Sequence, residues 1–388
     1  MITSKLPNVG TNIFSVMSQM ALDHQAVNLG QGFPDYEPAA ALRDAVTEAM
    51  NTGFNQYPPM AGIAPLRAAI KEKVMRLYKR DYDANTEITV TSGATEALMA
   101  AILAIAGKGD EVIIIEPSYD AYSPAISLAG ATPVFVAMRA PSESDPYYRI
   151  DWDKVRASIT PNTRAIIVNS PHNPTGSVMS ESDLDALEAI VADTRILIIS
   201  DEAYEHIVFD GAKHLSIAGR PALSDRAFVV FTFGKTYHIT GWKVGYCCAP
   251  KALTEELRKI HQFLVFTVPT PLQVALAHYM QDEATYTGLS QFYEEKRDWL
   301  TSELKKTRLQ PLPSAGTFFL LANYQDISDL PEIEFAKWLT VEHGVTTIPV
   351  SSLYHEPEAA ESNHHLVRLC FGKRQETLQS AIDKLHKL

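Results

Sequence analysis

From residue 87 onward the chain alternates two kinds of segment. Short apolar runs, "EITVTSG" (87–93), "DEVIIIEPSY" (110–119), "RAIIVNSPHN" (164–173), "RILIISDEAY" (195–204) and "RAFVVFTFGK" (226–235), are separated by stretches of helical pattern. β-Branched runs that are apolar on both faces suit parallel strands buried between helical layers. The Ala/Leu-rich stretch after "EITVTSG" predicts a helix from Thr95 to a stop at Gly107. The stretch over 180–193 predicts another, started by Ser180 and Asp183. The pattern therefore predicts an open α/β sheet.

After about residue 280 the pattern changes. A charged helix over 289–307 precedes "SAGTFFLLANY" (314–324), a helix over 332–343, "GVTTIPVSSLY" (344–354), "HHLVRLCFGK" (364–373) and a terminal helix. This mixture predicts a smaller α+β unit with antiparallel strands. The Pro/Gly-rich first 45 residues, with a helix after Pro38, fit neither unit cleanly. The expected organisation is an arm and part of the small domain over 1–45, a large domain over 46–282 and a small C-terminal domain over 283–388.

Composition narrows the function classes. The 388 residues are 46% hydrophobic and 21% charged, as in a globular protein, and the formal net charge is −12 without a dense Lys/Arg run. A nucleic-acid partner is not expected. The longest nearly apolar run, "ALMAAILAIAG" (97–107), is too short to cross a bilayer, and no membrane partner is expected. "MITSKLPNVGTNIF" has no apolar core of a secretory signal, and a cytoplasmic location is expected. Cys247, Cys248 and Cys370 form neither a disulfide framework nor a zinc set, so reduced, partly buried thiols are expected.

The strand ends carry the chemistry. In open α/β sheets ligands bind beyond the carboxyl ends of the strands, and the five runs end in Ser92-Gly93, Glu116–Tyr119, Asn169–Asn173, Asp201–Tyr204 and Thr232–Lys235. "TSGATEA" (91–97) leads from a strand into a helix start, where free N–H groups attract phosphate; alone it is no more than an N-cap. An aspartate at the buried end of a strand, Asp201, needs a cationic partner: a metal, an arginine or a protonated ring nitrogen. Glu202, Glu205 and His206 are further metal candidates, but strand alternation points them variously, and no metal is expected. "PHNPTG" (171–176) is a turn presenting Asn173, and "PSYDAY" (117–122) supplies aromatics. Arg368 stands in the apolar "VRLCF" (367–371), where a planar fork suits a carboxylate and a structural Arg–Glu pair is the competing reading.

"FGKTYHITGWKVGY" (233–246) then sets two lysines eight residues apart among aromatics. A lysine kept partly neutral by such neighbours is a nucleophile that forms Schiff bases. An aldehyde for the lysine, a phosphate for the helix start and a ring nitrogen for the aspartate are together the requirements of pyridoxal phosphate.

The motifs "NLGQGFPD" (28–35), "NQYPPMAGIAPLR" (55–67), "SGATEA", "PHNPTG", "DEAY", "FGKTYHITGWKVGY" and "VRLCF", in this order, resemble fold-type I pyridoxal-phosphate aminotransferases of class I/II. The nearest subgroup is that of the bacterial methionine aminotransferases related to the kynurenine and glutamine aminotransferases. The resemblance covers essentially the whole chain. It implies a mostly parallel sheet of the seven-stranded type, a homodimer and pyridoxal 5'-phosphate as cofactor. Lys235 would be the Schiff-base lysine and proton shuttle, Asp201 the partner of the ring nitrogen, Asn173 and Tyr204 the partners of the ring hydroxyl, and Tyr119 the stacking ring. Gly93, Ala94, Thr95, Thr232 and Lys243 would hold the phosphate, with Tyr57 reaching across from a partner subunit. Arg368 would clamp the substrate carboxylate, helped by Asn173 and Gly32.

Two departures bear on substrate. The phosphate position is Lys243 rather than arginine, a point charge instead of a fork. "FLVFTVPTP" (263–271), where an aspartate-type enzyme would supply a second arginine, contains no basic residue. With Phe14, Phe33, Tyr57 and Tyr119 nearby, the expected donor is a neutral amino acid, methionine first, then glutamine, phenylalanine, tyrosine, leucine or kynurenine. A 2-oxo acid would accept the amino group in a ping-pong cycle. An aspartate-type enzyme is disfavoured. A β-lyase sharing the same site is the alternative outcome, and a non-catalytic cofactor-sensing regulator is a remote one.

Overall fold

The computed structural model describes residues 3–7, 9–142 and 144–388. A helix over Ile13–Asp23, capped by the Asn12 side chain, leads to a two-residue strand, β1 (Val27–Asn28). Seven strands follow: β2 (Ile88–Thr91), β3 (Glu111–Glu116), β4 (Thr132–Ala137), β5 (Thr163–Asn169), β6 (Leu197–Asp201), β7 (Ala227–Thr232) and β8 (Gly245–Cys248). They form one sheet in the order β2-β8-β7-β6-β5-β3-β4. Neighbours are parallel except at β8, which runs antiparallel to both β2 and β7.

Both faces of this sheet are covered, as the doubly apolar runs require. On β3, Val112 and Ile114 face a core shared with Ala97, Leu98 and Ile126, while Ile113 and Ile115 face another shared with Leu184 and Leu187. Each such side chain contributes about 1.5–3 kcal/mol by leaving water. The helix over Glu181–Val191 starts as its sequence indicates: Ser180 and Asp183 exchange side-chain and backbone hydrogen bonds in a capping box. The helix after β2 spans Gly93–Ile105, beginning ahead of the expected Thr95.

Two strands lie outside the five runs picked out by pattern. β4 is a partly exposed edge strand carrying Pro133, so it lacks the doubly buried signature. β8, "GYCC", is four residues long and directly follows the polar lysine loop. Cys247, Cys248 and Cys370 are unpaired and fully buried, deeper than the partial burial expected. No helix among the described residues is long and apolar enough to cross a membrane.

The remaining strands are β9 (Gln310–Pro311), β10 (Phe319–Asn323), β11 (Val345–Thr346), β12 (Ile348–Pro349) and β13 (Leu366–Cys370). β12-β13-β10-β9 is an antiparallel sheet. β1 pairs in parallel with β11, Val27 opposite Val345, and Met17 and Leu29 enter the core formed by these C-terminal elements. The helix over Ala40–Asn51 instead sends Leu42 into the large-sheet core and runs across residue 45.

Candidate active site

The polar strand ends surround one cavity of about 330 Å³ between the large sheet and the C-terminal elements. Its lining includes Phe14, Gly32, Gly93, Ala94, Thr95, Tyr119, Asn173, Asp201, Tyr204, Thr232, Lys235, Lys243 and Arg368. Two predicted residues lie elsewhere. Phe33 is 44% exposed, with its ring against the Lys373 ammonium at 4.6 Å. Tyr57 is 84% exposed and packs edge-on against Phe266, so within one chain it does not line the cavity.

Asp201 ends β6 at the cavity floor. Its carboxylate accepts from the Tyr122 hydroxyl at 2.7 Å and from the Ala203 N–H at 3.1 Å. Burial raises its pKa: the negative charge is costly there until a cation sits against it. Next door, Asn169 at the end of β5 donates to the Asp201 carbonyl and accepts from the Asn173 N–H, which fixes the "PHNPTG" turn to the neighbouring strand. Gly176 closes that turn at φ +69°, where an added Cβ would collide with the Ser314 hydroxyl.

Arg368, on β13, is 1% exposed. Its terminal nitrogens donate to Asn173 Oδ1 and the Gly30 carbonyl, both at 2.7 Å, while its Nε is buried without a partner. The guanidinium lies 3.9 Å from the Phe319 ring centre and 5.0 Å from that of Phe14. Burial depresses its pKa to about 10, a sign of a cation held ready for an anion. The structural Arg–Glu pair that could have explained this residue is absent among the described residues.

The two lysines of 233–246 reach the cavity because β7 and β8 are antiparallel neighbours, with Thr232 opposite Gly245. Lys235 follows β7, and Lys243, in the left-handed region at φ 53°, precedes β8. Lys235 Nζ donates to the Gly32 carbonyl at 2.7 Å and lies within 6 Å of the Tyr204 and Phe318 ring centres. Burial, reinforced by the charges of Arg368 and Lys243, lowers its pKa to about 8. A Cβ on Gly93 would stand 3.4 Å from Lys243 Nζ, so that ammonium faces the N-terminus of the Gly93–Ile105 helix. The first-turn N–H groups there have no intrahelical acceptor. With Thr95 and Thr232 beside them they form a cradle suited to a phosphate.

The structure also shows residues that motif reading passed over. Tyr122 falls three residues after Tyr119 in "PSYDAY", a spacing that puts both on one side of a helix start. Glu202 and Glu205, weighed above as metal ligands, are committed elsewhere: Glu202 to His214 and Ser200, Glu205 to Lys73 at 2.5 Å and to Tyr78. Burial opposes the Glu205 charge, yet the Lys73 ammonium holds its pKa down at about 2.

A buried lysine of lowered pKa, a buried acid, an anion cradle and a buried arginine fork, sharing one cavity at the end of an α/β sheet, suit a pyridoxal-phosphate enzyme that acts on amino acids. The chain belongs to the aminotransferases of class I and II, whose family model matches residues 24–385. It is 47% identical to the methionine aminotransferase of Escherichia coli over 99% of this chain and 98% of that one. A probable N-succinyldiaminopimelate aminotransferase of Mycobacterium tuberculosis is 39% identical over 100% and 98% of the two chains. A kynurenine–oxoglutarate transaminase of Dictyostelium discoideum is 35% identical over 98% and 94%. A solved Escherichia coli structure with a methionine aminotransferase function superposes at a TM-score of 0.95 with 46% identity, covering 100% of both chains. The fold is therefore that of the fold-type I pyridoxal-phosphate transferases.

The residues present fit this cofactor, and the lowered pKa of Lys235 has a kinetic signature. Only the neutral amine attacks an aldehyde, so cofactor capture by the apo-protein speeds up as pH rises and levels off above about 8. The measurement is the rate of visible absorbance development after adding pyridoxal phosphate, from about pH 6.5 to about 9.5. A rate still climbing beyond about pH 10 would show an ordinary lysine.

Proposed function

We propose that this enzyme transfers the α-amino group of a neutral amino acid, methionine foremost, to a 2-oxo acid in a ping-pong cycle. The observation that carries the reading is the set of cations in the cavity. Lys235, Lys243 and Arg368 are its basic lining residues among those described, and the cofactor and one substrate carboxylate account for all three. Nothing basic is left for a side-chain carboxylate. Apolar walls from Phe14, Leu98 and Phe319 suit an uncharged chain, and the strong similarity to a methionine aminotransferase supports the same choice.

When bound, pyridoxal phosphate supplies an aldehyde for the amino group and a ring that accommodates negative charge at the substrate α-carbon. The Gly93–Thr95 N–H groups, Thr232 and Lys243 would hold the phosphate, and Asp201, kept in place by Tyr122, would pair with the ring nitrogen. Asn173 and Tyr204 would serve the ring hydroxyl, and Tyr119 would cover the ring. Arg368 orients the amino acid through its carboxylate, and Lys235 Nζ, its pKa lowered to about 8, takes the proton from the substrate α-carbon and carries it.

An apolar surface around Phe263, Leu264, Val265 and Phe266, together with Tyr57, supports a homodimer in which Tyr57 serves the partner's cavity. Unpaired buried cysteines and an acidic chain fit a cytoplasmic enzyme. The decisive experiment is a panel of amino donors with one 2-oxo acid, read by product formation. The expected result is stoichiometric 4-methylthio-2-oxobutanoate from methionine, with aspartate a poor donor. Release of thiol or ammonia in place of transfer, or aspartate as the best donor, would overturn the reading.

A further inference from the structure

Two carboxylates line the cavity, and the account above uses only one. Asp201 is bound by Tyr122 and the Ala203 N–H. The other belongs to Asp120, the residue after the stacking Tyr119. It is partly buried, and among the described residues no side chain donates a hydrogen bond to it. Burial raises its pKa, and the Arg368 charge works against that by lowering it. A carboxylate kept in a substrate cavity without a donor side chain is a standing cost.

Its effect on substrates follows from charge. Two arms of the Arg368 fork are already engaged by Asn173 and Gly30, and the cation can be neutralised by one substrate carboxylate. Once that carboxylate is in place, the region around Asp120 is net negative. A second carboxylate on the substrate then meets repulsion, whereas a thioether, an aromatic ring or an amide does not.

We propose that Asp120 is the charge filter of this site, disfavouring amino acids and 2-oxo acids that carry a second carboxylate. This rests on the transfer reaction proposed above and adds a residue that enforces its substrate class by repulsion, beyond the lack of a second arginine. The filter applies to the acceptor as well as the donor, so the chain should prefer monocarboxylic 2-oxo acids.

The test uses the full-length protein loaded with pyridoxal phosphate, as wild type, Asp120→Asn and Asp120→Glu. The ratio of kcat/KM for 2-oxoglutarate to that for phenylpyruvate should rise roughly tenfold in Asp120→Asn, the scale of one screened unit charge. Asp120→Glu, which keeps the charge, should stay near the wild-type ratio. In parallel, succinate and butyrate, which cannot react, are titrated against the visible absorbance of the bound cofactor. Asp120→Asn should tighten succinate and leave butyrate unchanged. Equal ratios in wild type and Asp120→Asn, with unchanged succinate binding, would overturn the filter. A wild-type protein that transfers nothing would instead overturn the proposed reaction, and the succinate titration would still decide the role of Asp120.

Discussion

Lys235→Arg abolishes turnover, a loss on the order of 10³-fold or more, while Lys243→Arg keeps the cofactor and much of the activity. The two lysines share one end of the sheet because β7 and β8 are antiparallel, yet their surroundings differ. Lys235 is enclosed by Tyr204 and Phe318 and has a pKa near 8, so its nitrogen can give up and take back a proton. Arginine does neither, because its guanidinium stays protonated. Lys243 faces the N-terminus of the Gly93–Ile105 helix and needs only its charge, which arginine supplies. Steady-state transfer and the visible absorbance of bound cofactor, measured on both variants, check the asymmetry. Equal losses in the two would show that the stretch has been misassigned.

Arg368→Lys lowers kcat/KM for methionine by roughly 10²–10³-fold, mostly through KM, and leaves the cofactor spectrum in place. Lysine keeps the charge but loses the planar fork. It cannot hold Asn173 Oδ1 and the Gly30 carbonyl while also offering parallel donors to a carboxylate. The desolvation that depresses the Arg368 pKa also makes its interaction with a bound carboxylate strong. Thermal unfolding and cofactor absorbance serve as controls, since a change at a 1% exposed position also affects packing. A wild-type KM in this variant would remove Arg368 from carboxylate recognition.

Much of this architecture is written in local patterns. Doubly apolar, β-branched runs such as "VIII" suit strands between two helical layers, and a polar cluster at the end of each marks the ligand side. What escaped was non-local or atypical. β8 is short and takes its place by pairing with both neighbours, and Pro133 hides β4. Tyr122 matters through Asp201, far along the chain, and nothing in "PSYDAY" announces that contact. Phe33 was expected through its ring, but its carbonyl is the engaged group, accepting from Lys373, while the ring lies at the surface. Tyr57, expected to reach across an interface, faces outward in the single chain.

The pairing of β1 with β11 has a consequence for how the molecule comes into being. Val27 finds its partner only when Val345 exists, and β13, which carries Arg368, comes later still. On the ribosome the opening segment therefore waits for Val345 with Met17 and Leu29 unburied, while the seven-stranded sheet has all its strands by Cys248. The carbonyls of Gly30 and Gly32, which hold Arg368 and Lys235, belong to that waiting segment. A nascent chain thus has Asp201, Lys235 and Lys243 long before it has Arg368, and the cavity they share is whole only once β13 has been made.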